Sequence, residues 1–265
     1  MSNSIIDAPL AYSIPYAATA TSEVAKTATA NEQASRPSQP ESPHSHRQEW
    51  IRDVVIGMAD GLTVPFALAA GLAGTLSTTA LIITAGLAEI AAGCIAMGLG
   101  GYLAVKSDHE YFVAQRIRKE QQVMYASDEE RRKLATLLAG WGLPHEQVQT
   151  AVESISDDRE QWLDFMMKHD LGLEMPRPER ARNSSITIGA SYVVGGLVPL
   201  LPYMFLRDPK TALLVSVFVT LIALFIFGFG KGKFLGTNPF RSALQTTVVG
   251  GVAAAVAYAA ARWIA

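Results

Sequence analysis

Cysteine is nearly absent from this chain. A single residue, Cys94, serves all 265 positions, which excludes an intrachain disulfide and any cysteine-based zinc site. Set within an apolar run, it reads as a small packing residue. Charge is also scarce, at 17% of residues, where a soluble domain carries nearer about 25%. The net charge of −2 excludes the basic footprint of a nucleic-acid binder. No basic stretch followed by an apolar run opens the sequence, so a cleavable signal peptide is not expected. Beyond the first 46 residues, none of His109, His145 and His169 follows a glutamate at three residues' distance. That spacing is what a di-iron bundle oxidase uses, so neither an enzyme nor a prosthetic group is expected.

What the chain has instead is hydrocarbon. Apolar residues make up 49% of it and its mean hydropathy is +0.20, with the excess gathered in residues 51–105 and 184–265. Residues 1–46 are rich in Ala, Ser, Thr and Pro, without sustained period, and read as a disordered tail. His44 and His46 within it are read as solvated side chains. Trp50 and Arg52 then mark a membrane interface. The stretch from Asp53 to about Leu76 is long enough to cross a bilayer, for which about 20 apolar residues suffice. Near its middle stands Asp60. A carboxylate at that depth is costly unless paired, hydrated or neutralised, and is a functional candidate for that reason. Pro65 removes an intrahelical hydrogen bond one turn later and frees the Gly61 carbonyl. Gly57 and Gly61 form a GxxxG pair, which admits a second helix at close range.

A second span is expected from about Ala80 to Val105, after a turn at Ser77, Thr78 and Thr79. It carries the other intramembrane acid, Glu89. Gly86, Glu89, Gly93, Met97 and Gly100 recur at three- and four-residue spacing and so share one stripe. Carboxylate oxygen suits hard divalent ions and thioether sulfur softer ones, so Glu89 with Met97 points to a transition metal rather than calcium or magnesium. Met97 taken alone reads more readily as core filler than as a ligand.

Residues 106–183 form a hydrophilic helical insert. Its first part continues the second span into water. Ser127-Asp128-Glu129-Glu130 reads as a capping box opening a helix that ends near Gly140. Pro144 and the acids near Asp157 open two more helices, the last stopping at Gly172. Three further spans are expected, at about 186–206, 212–230 and 244–264. The first of these is bent by Gly195, Gly196, Pro199 and Pro202. None has an acid in its interior. Lys and Arg counts orient the chain: the insert holds 12, from Lys106 to Arg182, and an inside N-terminus puts Arg47, Arg52, Lys231, Lys233 and Arg241 on the same side. Only Arg207, Lys210 and Arg262 fall opposite. The expected fold is therefore an all-α integral membrane protein of five spans, with tail and insert cytoplasmic and the C-terminus outside. Gly228-Phe229-Gly230-Lys231-Gly232-Lys233 is not a phosphate loop, because Phe stands at both 227 and 234 and a membrane span precedes it.

Four stretches of this sequence resemble the vacuolar iron transporter family of plants, yeast, protists and bacteria. They are Asp60-Gly61-Leu62-Thr63-Val64-Pro65-Phe66-Ala67-Leu68-Ala69-Ala70-Gly71, Glu89 to Gly93 continuing through Met97 to Ala104, Trp162 to Lys168, and Pro239 to Leu244. They occur in the family's order, and the resemblance covers about residues 50–265. It implies a homodimer in the lipid bilayer that exchanges cytosolic Fe²⁺ for protons, with Mn²⁺ as further cargo. It also implies that Asp60, Glu89 and Met97 line the translocation path and that the insert is a metal-binding domain. Carried over by position, Glu120, Glu130, Met166 and Met167 match its ligands. Val123, Lys133 and Asp170 stand where glutamates are expected. Of these, Asp170 alone can still donate an oxygen, so the insert should hold fewer ions or hold them more weakly. Glu110, one turn after Lys106, offers a compensating carboxylate. The competing reading is a membrane-anchored metal sensor or store, which binds ions in the insert without flux and leaves Asp60 and Glu89 unexplained.

Overall fold

The computed structural model describes residues 43–75 and 78–264, with side chains from Arg47 onward. The expected disorder of the tail concerns residues that otherwise lie outside this range. Among the described residues there are eight helices: α1 (Pro43–Ala73), α2 (Thr79–Tyr125), α3 (Ser127–Gly140), α4 (His145–Asp157), α5 (Arg159–His169), α6 (Arg180–Phe205), α7 (Pro209–Phe234) and α8 (Pro239–Ile264). Five of them, α1, α2, α6, α7 and α8, are long and apolar enough to cross a membrane. The first begins at Pro43, inside the expected tail, because proline is well tolerated in the first turn of a helix, where its missing N–H costs nothing.

α2 is a single helix of 47 residues, about 70 Å long at 1.5 Å per residue. A bilayer core uses about 30 Å of such a length, so the helix is about twice as long as one crossing needs, and its hydrophilic half begins at Lys106. α3, α4 and α5 pack around that half. Val123, Leu134, Leu138, Val148, Trp162 and Met166 form one buried cluster, and Phe112, Leu163 and Met167 another. Burial from water drives this part, at about 1.5–3 kcal/mol for each large side chain. α5 is capped by Asp158, whose Oδ1 accepts from the Glu160 and Gln161 amides at 2.9 and 3.3 Å. Gly172 follows its end at φ 64°, a left-handed conformation that glycine adopts without strain.

α3 begins and ends where the sequence placed it, but its capping box is not formed. Ala126 is the N-cap and no side chain caps the helix. Ser127 lies one residue inside the first turn, too late for its hydroxyl to act as the cap. Glu130 turns inward instead.

Within lipid, hydrophobicity no longer discriminates between helix contacts, and close packing of small residues takes over. α6 lies between α1 and α2 on two glycine seams. A Cβ on Gly57 or Gly61 would strike the carbonyls of Ile188 and Tyr192, and one on Gly195 would come within 2.9 Å of the Leu62 amide. On the other side, a Cβ on Gly98 would sit 3.1 Å from the Ser185 carbonyl, and one on Gly93 would strike the Tyr192 ring. α7 joins α6 through Ser216, whose buried hydroxyl donates to the Pro199 carbonyl at 2.7 Å. Leu214, Phe218, Ile226, Val248, Val252 and Val256 on α7 and α8 remain exposed, as suits a surface facing lipid tails.

At one end of the α1–α6 seam sits a buried ion pair. The Arg180 guanidinium donates to both oxygens of Asp53, at 2.5 and 3.3 Å, and its Nε lies 3.1 Å from Glu49. Asp53 is 2% exposed, so neither charge has water to fall back on. Asp53→Ala strands the guanidinium, and the expected loss is about 3–5 kcal/mol. Thermal unfolding in detergent should show a clearly lowered melting temperature, with Arg180→Lys, which keeps the charge but not the fork, falling between.

Candidate functional site

The two intramembrane acids approach α6 from opposite sides. Gly57 and Gly61 bring α1 so close that the Tyr192 backbone lies over the Gly61 Cα. Gly93 leaves room on α2 for the Tyr192 ring. The phenol therefore lies against α2 one turn from Glu89, and its hydroxyl donates to Glu89 Oε1. Glu89 Oε2 is buried and has no hydrogen-bond partner. A buried carboxylate oxygen left open is costly, which marks the position as one where a further partner would be stabilised. Asp60 and Cys94 lie near enough to act electrostatically on the same phenol.

Asp60 is exposed on the surface of the single chain, whereas Glu89 and Met97 are half-buried. Met97 stands two turns beyond Glu89 on α2, about 12 Å along the axis. Cys94, between them, turns its thiol to its own helix, donating to the Ala91 carbonyl at 3.2 Å, and the Cys94 carbonyl faces Gly189 of α6. Asp60, Glu89 and Tyr192 thus form one neighbourhood at the α1–α6–α2 junction, with Met97 further along.

The insert candidates are dispersed. Glu110 is exposed, 3.8 Å from Lys106. Glu120 accepts from Arg159 at 2.9 Å. Met166 and Met167 are 0% and 1% exposed and belong to the two apolar clusters of the insert. Glu130 and Asp170 do come together, but through Lys119, whose Nζ lies 3.0 Å from one and 2.6 Å from the other. Lys133 donates to the second oxygen of Glu130 at 2.8 Å. Its hydrogen bonds to Glu130 and Glu129 hold its ammonium above the usual lysine range. Among the described residues no three His, Cys, Asp or Glu side chains converge as a metal site.

The VIT family profile matches residues 51–262. The chain belongs to that family, the one its motifs resemble. Among similar proteins, vacuolar iron transporter 1 of Tulipa gesneriana is 48% identical over 222 residues, covering 84% of this chain and 90% of its own. Vacuolar iron transporter 2 of Oryza sativa subsp. japonica is 50% identical over 219 residues, covering 83% and 89%. Protein CCC1 of Saccharomyces cerevisiae is 41% identical over 218 residues, covering 78% and 67%.

Sequence reasoning passed over Tyr192. The available signal was a phenol in the middle of a glycine-rich span, a group that seeks a hydrogen-bond partner once buried. The Arg180–Asp53 pair was missed too, since the two residues stand 127 positions apart. Tyr192→Phe in this VIT-family protein leaves both Glu89 oxygens without a partner. The expected cost is about 1–3 kcal/mol of stability. A double-mutant cycle with Glu89→Gln, read by thermal unfolding in detergent, should show the two losses to be strongly non-additive.

Proposed function

We propose that this protein is a proton-coupled carrier that moves Fe²⁺, and Mn²⁺ as a second cargo, out of the cytosol into a vacuole-like compartment or out of the cell. The observation that carries the reading is Glu89 in mid-span: one oxygen held by Tyr192, the other buried and open. Protons and divalent ions compete for the same carboxylate lone pairs, and that competition is the chemistry a metal–proton exchange at Glu89 would use. Asp60 and Met97 extend the path, with oxygen and soft sulfur donors suited to a first-row metal. The relatives' names, vacuolar iron transporter among them, favour iron as the cargo and the vacuole as the destination.

Asp60 also bears on assembly. Charged residues within a membrane span almost always face a bundle interior or a watered cavity, yet Asp60 lies exposed on the single chain. A homodimer that places α1 against its symmetry mate removes that conflict. The excess of Lys and Arg in the insert and at the start of α1 favours an orientation with both on the cytoplasmic side.

The test is metal-dependent proton movement in proteoliposomes, with Fe²⁺ under reducing conditions and Mn²⁺ measured separately. Proton flux should follow metal in the parent and fall to the level of empty vesicles in Asp60→Ala, with the variant eluting in the same oligomeric state. Metal binding without any flux in the parent would replace the carrier by a sensor or store.

A further inference from the structure

The insert contains a buried cluster of charges that the carrier reading does not use. Lys119 is 4% exposed and Glu130 1%. Lys119 belongs to α2, Glu130 and Lys133 to α3, and Asp170 follows α5, so the cluster ties together three elements of the insert. Both oxygens of Glu130 are taken, Oε2 by Lys119 at 3.0 Å and Oε1 by Lys133 at 2.8 Å. Asp170 Oδ2 accepts from Lys119 at 2.6 Å, and Glu129 lies 3.2 Å from Lys133. A cavity of about 310 Å³ opens beside these groups, lined by Gln115, Arg118, Lys119, Gln122, Lys133 and Asp170.

Three carboxylates (Glu129, Glu130, Asp170) therefore stand with three basic side chains (Arg118, Lys119, Lys133), and no net negative charge is left to draw in a cation. A divalent ion entering the cavity would meet two ammonium groups already bound to the oxygens it needs. The nearest thioethers, Met166 and Met167, are packed among hydrocarbon. We propose that Lys119 and Lys133 are the resident cations of this pocket. The insert closes on its own ammonium groups, needs no metal ion to hold α2, α3 and α5 together, and becomes a divalent-cation site only when a neutral side chain replaces Lys119. An ammonium is well suited to such bridging, because its three donors reach oxygens at hydrogen-bond distance and its flexible stem follows the packing of the helices.

The experiment uses the full chain in detergent and Mn²⁺ as the probe, with free Mn²⁺ followed by electron paramagnetic resonance. All proteins carry Glu89→Gln, so that binding in the spans does not mask the insert. Lys119→Gln should strengthen Mn²⁺ binding by about tenfold or more, since a like charge within a few ångströms of the ion is removed. Adding Glu130→Gln should abolish the gain. Unchanged binding in Lys119→Gln, or parent binding that Glu130→Gln already removes, would overturn the proposal. Hydrogen exchange on the unmodified protein supplies a readout that depends on no variant folding. Protection across residues 112–171 should be the same in EDTA and in excess Mn²⁺, and metal-dependent protection there would overturn the proposal as well. Neither readout depends on whether the spans carry metal, so proteoliposome flux can fail while this result stands, and the reverse.

Discussion

The close approach of α6 to both α1 and α2 is the constraint on which the membrane part of this molecule rests. Backbone carbonyls of Ile188 and Tyr192 occupy the space where side chains on Gly57 and Gly61 would be. No other residue type fits there, and in lipid no hydrophobic force would compensate for a wider gap. The same approach delivers the Tyr192 phenol across α6 to Gly93 and thence to Glu89. On the α2 side packing and chemistry are thus one arrangement: a methyl group at Gly93 would displace the phenol that reaches the carboxylate.

Charge is housed in three different ways along the molecule. At the end of the α1–α6 seam, Asp53 and Arg180 neutralise one another in a bidentate pair with Glu49 beside them. In mid-span, Glu89 has only a neutral donor, so its open oxygen stays available to whatever positive species reaches it. In the insert, Glu130 and Asp170 are satisfied by tethered ammonium groups. Of the three, only the second leaves a buried carboxylate oxygen without a partner. That difference in counter-charge, rather than the number of acids, sets the Glu89 carboxylate apart from the ion pairs that tie helices together.

The helical pattern of the chain was readable because it depends on local chemistry. Long apolar runs, the stop at Gly172 and the acids near Asp157 act over a few residues and report themselves in sequence, whereas the helices starting at Pro209 and Pro239 begin a few residues before the spans expected there. Asp60 and Glu89 were legible for a related reason, since a carboxylate in an apolar run violates the rule for its surroundings. The capping box at Ser127 was misread because its spacing is compatible with two outcomes. The choice fell to Lys119, eleven residues earlier on another helix, which draws Glu130 inward.

Sequence by itself determined the class of protein, the number of apolar helices, the long second helix with its hydrophilic extension, and the two acids that break the apolar pattern. Each of these follows from composition and short-range periodicity. Tertiary structure alone decided that Tyr192 serves Glu89, that Arg180 closes on Asp53, and that lysines rather than open space face the carboxylates of the insert. All but the Lys133–Glu130 contact join residues 11 to 127 positions apart, and a hydrogen bond is sensitive to tenths of an ångström. Only the packed helices, set by glycine contacts that sequence spacing permits but does not assign, bring such groups within reach.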